Sequence, residues 1–248
     1  METYTTSEVA ELIGVHPNTV RLYEELNLIP RPKRNTNGYR IFNDFHIEQF
    51  RFARTALKIE VLQRGLRKNA LEIIKTSANR DFDKAICLVN HYLQQLEIEK
   101  SNAEEALTIV TQILNGNSQE TNKLFLTRKE TAEYLNVTID TLRNWEMNGL
   151  LKVKRKQNGY RVYTDEDIKR LKIISSLRLA NYSLSAILRM LNALSCNPDT
   201  NIKVVIDTPK DDDEIISVCD KLITSLKEAE HNAKTMKSHL QIMKKQFS

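Results

Sequence analysis

The chain repeats itself. Thr5-Thr6-Ser7-Glu8-Val9-Ala10 returns as Thr127-Arg128-Lys129-Glu130-Thr131-Ala132, and at the same offset Thr19-Val20-Arg21-Leu22-Tyr23-Glu24 returns as Thr141-Leu142-Arg143-Asn144-Trp145-Glu146. After a one-residue deletion Asn37-Gly38-Tyr39-Arg40-Ile41-Phe42 matches Asn158-Gly159-Tyr160-Arg161-Val162-Tyr163. A duplication constrains the fold more than composition does, because whatever one copy forms the other is expected to form too. The 248 residues, 41% hydrophobic, suffice for two packed domains of ~100–200 residues.

Each copy opens with Thr followed three residues later by Glu (Thr5/Glu8, Thr127/Glu130), the reciprocal cap of a helix N-terminus. That helix is expected to stop at Gly14 or Asn136, residue types that tolerate the left-handed conformation of a tight turn. A second helix follows at once, started by His16-Pro17 in one copy and Thr138 in the other. Asn37-Gly38 and Asn158-Gly159 then predict two-residue hairpins, with return strands Tyr39–Phe42 and Tyr160–Tyr163. A further helix is expected from Asn43 or Thr164, the latter capped with Asp167.

Apolar residues then fall at Ile86, Val89, Leu93, Leu96, Ala103, Leu107, Val110 and Leu114, with Lys100 the one polar interruption of a three-four alternation. A second seam runs Cys219, Leu222, Leu226, Ala229, Ala233, Met236, Leu240, Met243 and Phe247. One short stripe would read as the buried face of a bundle helix; four heptads in each copy read as coiled-coil rods, the first roughly 42 Å long at ~1.5 Å per residue. The expected fold is mainly α: two winged helix-turn-helix domains with small β-hairpin wings, each followed by a long coiled-coil helix. The boundaries read as 1–80, a rod over 81–115, a linker over 116–124, a second winged domain over 125–212 and a second rod over 213–248.

Several function classes are disfavoured. Cys87, Cys196 and Cys219 form no close pair and no zinc spacing, so neither disulfides nor a metal is expected. The five histidines are scattered, with no Ser-His-Asp order or glycine-rich phosphate loop, so no enzyme and no cofactor is expected. No apolar run is long enough to span a bilayer and no leader pattern opens the chain, which predicts a cytoplasmic protein.

A formal charge of +5 favours a polyanionic partner without deciding it. The second helix of each copy is better placed to decide. Early residues of a recognition helix meet base edges, which marks Asn18, Thr19, Arg21 and Tyr23, and in the second copy Asp140, Thr141, Arg143 and Trp145. Asn18 is the candidate base reader. Asp140 in its place favours a cytosine amino group or repels phosphate, so the two heads need not read the same sequence. Each wing collects cations at matching places: Arg31, Lys33, Arg34 and Arg40, then Lys152, Lys154, Arg155, Lys156 and Arg161. These would grip phosphates. Tyr39 and Tyr160 either pack under the wing or bond phosphate. Tyr23 and Trp145 have apolar bodies that suit a core better than a contact.

The order of these motifs resembles the MerR family of bacterial regulators, whose second helix and following turn read roughly Thr-Ile-Arg-Tyr-Tyr-Glu with Gly-Leu-Ile-Pro after it. Here Asn27-Leu28-Ile29-Pro30 and Gly149-Leu150-Leu151 follow the two second helices, Asn-Gly-Tyr-Arg recurs in both wings, and Leu177–Ile187 is similar to the family's later helix pair. The resemblance implies a homodimer joined by an antiparallel coiled coil, bound to a palindromic site in a promoter with too long a spacer. There the protein bends and untwists double-stranded DNA to control RNA polymerase. It also implies phosphate contacts at Arg21, Arg40, Arg143 and Arg161.

Three departures qualify this. Ala56–Gly65 fits the family's helix pair poorly, two heads and two rods replace one head with an effector module, and thiols placed for metal sensing are missing. The rods then pair either within one chain, giving an intramolecular pseudo-dimer, or between two chains as a homodimer. The leading function is a transcription regulator answering a small-molecule effector, with a pocket between rod and heads near Tyr92, Tyr182 or Cys196–Pro209. The alternative is a DNA-architectural, excisionase-like recombination accessory protein.

Overall fold

A computed structural model describes residues 2–58, 66–116, 125–155, 159–209 and 218–248. The chain divides into two compact units, Met1–Ile98 with Leu226–Ser248, and Glu99–Ser225. No helix among the described residues is long and apolar enough to cross a membrane.

In the first unit, α1 (Thr6–Ile13) starts from the Thr5/Glu8 capping box and ends at Gly14 with φ +69°, as the residue types require. α2 (Pro17–Glu25) starts at His16, whose Nδ1 accepts from the Asn18 amide. The wing strands are β2 (Lys33–Arg34) and β3 (Arg40–Asn43), and β1 (Thr3–Tyr4) adds to the far side of β3. The sheet is antiparallel in the order β1-β3-β2, with Tyr4 opposite Phe42 and Lys33 opposite Ile41.

The hairpin differs from expectation. Gly38 N–H bonds Asn35 O, Asn35 N–H bonds Tyr39 O, and Gly38 alone of the loop has positive φ, +82°. This is a three-residue loop ending on a left-handed glycine rather than a two-residue turn centred on Asn37-Gly38. Asn35 is the reason: its Oδ1 accepts from the Asn37 and Tyr39 amides and closes the wider loop.

α3 (Asp44–Leu57), capped by Asn43, packs on α4 (Leu66–Ala78). The poor family fit at Ala56–Gly65 therefore does not prevent a helix pair, although Ile59–Gly65 lie outside the described residues. A fully buried Gln49 ties these elements: its Nε2 donates to Leu28 O (3.0 Å) and Ile74 O (2.9 Å), and its Oε1 accepts from Ser77 Oγ (2.8 Å). The head's core is Val9, Ala10, Val20, Ile29, Phe42, Ile47 and Phe50. Each large apolar side chain so buried contributes about 1.5–3 kcal/mol.

α5 (Phe82–Leu114) and α11 (Leu222–Phe247) carry the two seams, whose buried members are Val89, Leu96, Ala103, Leu107 and Val110 on one and Leu222, Leu226, Ala229, Ala233, Met236, Leu240 and Met243 on the other; Ile86, Leu93, Leu114 and Phe247 are half-buried, and Ala85 and Tyr92 beside the seam are buried instead. Within the first unit the start of α5 meets the end of α11. Lys244 Nζ pairs with Asp83, and Arg80 Nη1 donates to Phe247 O at 2.9 Å. α11 also lies on α3, through His239 Nε2 and Glu48 Oε2 at 2.9 Å, and the Phe45 and Phe247 rings at 5.2 Å.

The second unit repeats the head: α6 (Arg128–Tyr134) from the Thr127/Glu130 box, α7 (Ile139–Met147) from Thr138, α8 (Asp165–Leu179) from Thr164/Asp167, and α9 (Leu184–Cys196). Among its described residues the strand pairing consists of Leu126 with Tyr163 and Arg155 with Arg161. The stretch after Cys196 contains α10 (Ile202–Ile206), and Asp207 beyond it caps α11 by accepting from the Ile223 and Thr224 amides. The last part of α5 packs here too, with Tyr182 Oη donating to Ala103 O and Asn181 Nδ2 to Glu99 Oε2. Tyr92 and Tyr182, the expected pocket tyrosines, are both fully buried.

Candidate nucleic-acid interface

Capping exposes the reading residues. With the first turn of α2 fixed by His16, Asn18 and Arg21 stand in solvent one helical turn apart, and Arg21 Nη1 donates to Asn18 Oδ1 at 2.8 Å. On α7 the Thr138 hydroxyl accepts from the Thr141 amide at 3.0 Å, and exposed Arg143 Nη1 donates to Asp140 Oδ1 at 3.1 Å. Thr19 and Thr141 are half-buried. In both heads an arginine is thus pre-aimed beside the candidate base reader. Its partner is neutral in one head and charged in the other.

Two expected contacts are withdrawn. Trp145 is only 4% exposed, and Tyr23 is half-buried with its ring stacked on Phe50 at 4.9 Å. Both side chains lie on the inner face of their helix, where aromatic area is removed from water.

The wings keep most of their expected cations in solvent. Arg31, Lys33, Arg34, Lys152, Lys154 and Arg155 are exposed, and Arg34 Nη1 also braces the loop through Gly38 O at 2.9 Å. Lys156 and Asn158 lie outside the described residues. Tyr39 is 72% and Tyr160 73% exposed, so neither packs beneath its wing.

Arg40 and Arg161 behave differently. Arg40 Nε reaches Glu24 Oε2 on α2 at 2.5 Å, and Arg161 Nε reaches Glu146 Oε2 on α7 at 2.7 Å. Each wing arginine spends its Nε on the recognition helix of its own head. Glu146 gathers two further donors, Arg128 Nη2 (2.8 Å) and Tyr163 Oη (2.5 Å). Burial and the bond to Glu146 push the Tyr163 phenol up to about 12, so it stays a donor. Sequence reasoning passed over both glutamates. The available signal was an acid at the same register in both repeats on an otherwise basic surface.

The second head also has a groove of about 500 Å³ between α7 and the α8–α9 turn, lined by Thr138, Asp140, Thr141, Asn144, Arg178 and Leu184 among others. It places the α8–α9 turn beside the reading residues.

Known proteins match both heads. Residues 5–42 match the model described as MerR family regulatory protein, and residues 126–194 match the MerR HTH family regulatory protein model. The mercuric resistance operon regulatory protein of Bacillus cereus is 31% identical over 96 residues, 39% of this chain and 67% of that one. The chain belongs to the MerR family. This MerR-family chain is a DNA-binding transcription regulator with helix-turn-helix heads. The HTH-type transcriptional regulator YfmP of Bacillus subtilis (strain 168) is 26% identical over 136 residues, 97% of its length but 43% of this chain. ZntR of Escherichia coli (strain K12) is 36% identical over 64 residues, 25% of this chain and 45% of its own. No solved structure matches the chain.

Proposed function

We propose that this regulator is a single-chain equivalent of a two-headed dimer, which binds unlike half-sites in promoter DNA and bends and untwists it to control RNA polymerase in the cytoplasm. The observation that carries the reading is the pairing of the start of α5 with the end of α11, through Asp83 with Lys244 and Arg80 with Phe247. An antiparallel pair formed inside one chain supplies what a second copy would otherwise bring. Untwisting is a deformation energy drawn from many phosphate contacts, and paired basic wings provide them. Asn18 favours adenine and Asp140 favours the cytosine amino group, which supports an asymmetric operator.

Mass in solution tests the arrangement. A particle of 28.7 kDa at low concentration, bound to one operator as a single chain, is the expected result. An obligate particle of twice that mass overturns it and favours the homodimer. Footprinting on the promoters of its own and neighbouring genes, followed by transcription in vitro, tests the action. A footprint between promoter elements with altered transcription supports the reading, whereas binding confined to recombination ends replaces it with the architectural alternative. Screening small molecules for a change in transcription addresses the effector.

A further inference from the structure

The two wings are held by different means. In the first head β3 is paired on both sides, with β1 and with β2, and among the described residues the side-chain tie from the recognition helix is the Glu24–Arg40 pair. In the second head the same pairing is thinner among the described residues: Leu126 and Tyr163 exchange both backbone bonds, Arg155 pairs with Arg161, and Val162 N–H bonds Lys154 O at 3.3 Å. There one carboxylate, Glu146, with its side chain 10% exposed, accepts from Arg161, Arg128 and Tyr163. At the positions of Arg128 and Tyr163 the first head has Thr6 and Phe42, and Phe42 belongs to its apolar core.

We infer that Glu146 is the positioning residue of the second wing, setting it against the recognition helix by charge where the first head uses its sheet. A carboxylate so far removed from water is stable only while its partners stay in place, so the partners are held as firmly as the acid. Arg161 sits on the return strand, Tyr163 at that strand's end and Arg128 at the start of α6, so one group ties two segments, the return strand and α6, to α7. Lys154 and Arg155 ride on the opposite arm of the same wing, joined through Val162 N–H to Lys154 O. The inference rests on the DNA-binding role of the wing, and its test has one arm that does not involve DNA.

The full chain carrying Glu146→Gln, and separately Glu24→Gln, is measured by amide hydrogen exchange and by binding to a random-sequence duplex of about 40 bp over a salt series. Trp145, the one tryptophan and adjacent to Glu146, reports whether the second head stays folded. With its emission unchanged, Glu146→Gln is expected to speed exchange at Val162 and Tyr163 by about tenfold or more, as fits loss of charge-assisted bonds. It is also expected to weaken DNA binding with a shallower salt dependence. Glu24→Gln leaves Ile41 and Phe42 within about twofold, because the sheet remains. Unchanged exchange in Glu146→Gln, or equal loosening of both wings, overturns the inference. If Glu146→Gln shifts the emission, the Arg128→Met/Tyr163→Phe double variant decides instead by the same exchange criterion. A native protein that ignores the duplex refutes the DNA-binding role while the exchange result still judges the lock.

Discussion

His46 should make the first head sensitive to mild acid. It is the third residue of α3, 6% exposed, with the Asn43 amide donating to its Nδ1 and its ring edge-on to Phe42. Its Nε2 is buried with no partner among the described residues. Burial first, then the charge of Arg80, lower its pKa from 6.5 to about 4, with Glu24 opposing. Because the folded pKa is depressed, the unfolded chain binds the proton more readily in acid. The stabilisation is therefore fully present above pH 6.5 and is lost as pH falls towards 4. At 1.36 kcal/mol per pKa unit the loss is about 3 kcal/mol across that window. His46→Gln keeps a side chain suited to the third position of a capping box but removes the titration. Urea unfolding of both proteins, followed by circular dichroism between pH 7 and 4.5, should show the native chain losing stability relative to the variant as pH falls. A difference between them that stays constant to within about 1 kcal/mol would refute the assignment of a buried neutral imidazole.

Gln49→Leu strands Leu28 O, Ile74 O and Ser77 Oγ in the core, and should destabilise the first unit by about 3 kcal/mol or more, read as a lower urea midpoint at unchanged slope. Asn18→Ala and Asp140→Ala should each cost about 1–3 kcal/mol on one half-site and little on the other, measured on operators with one half-site scrambled; equal losses on both would mean that the heads read alike. Lys33→Ala should weaken binding to all sequences evenly and lower the slope of log affinity against log salt by about 1.

Much of this fold is legible because its signals are local. Thr5/Glu8 and Thr127/Glu130 cap helices as any such pair would, Gly14 and Asn136 take left-handed turns, and most of the residues the heptads mark are buried, with Ile86, Leu93, Leu114 and Phe247 half-buried. What escapes is set by partners distant in sequence. β1 is two residues long and exists only because β3 offers an edge, so Thr3–Tyr4 carries no pattern of its own. The wider wing loop depends on the Asn35 side chain reaching over the turn, which outweighs the local preference of Asn37-Gly38. The exposure of Asn18, Arg21, Asp140 and Arg143 is legible in the sequence, since it follows from their place on the outer face of the second helix of each head. The roles of Arg40 and Arg161 are not, because Glu24 and Glu146 meet them only after the wing folds back.

The contrast between the wings bears on why two heads in one chain need not stay alike. In a homodimer any change to a head appears twice, and the site it reads must remain palindromic. Joined in one chain, each head can change by itself. Under the proposed function Asn18 against Asp140 changes the base each head reads, while Thr6 with Phe42 against Arg128 with Tyr163 changes how the wing is held. The second pair of changes acts together: Arg128 without the shared carboxylate would lose its countercharge, and Tyr163 without Glu146 would keep the Arg128 Nε–H it accepts but lose the acceptor for its own proton. Their mutual dependence yields a last prediction. Glu146→Gln combined with Arg128→Thr and Tyr163→Phe, which removes the carboxylate and restores the first head's residues, should recover part of the stability lost by Glu146→Gln alone. Losses that merely add in thermal unfolding would show the three groups to be independent.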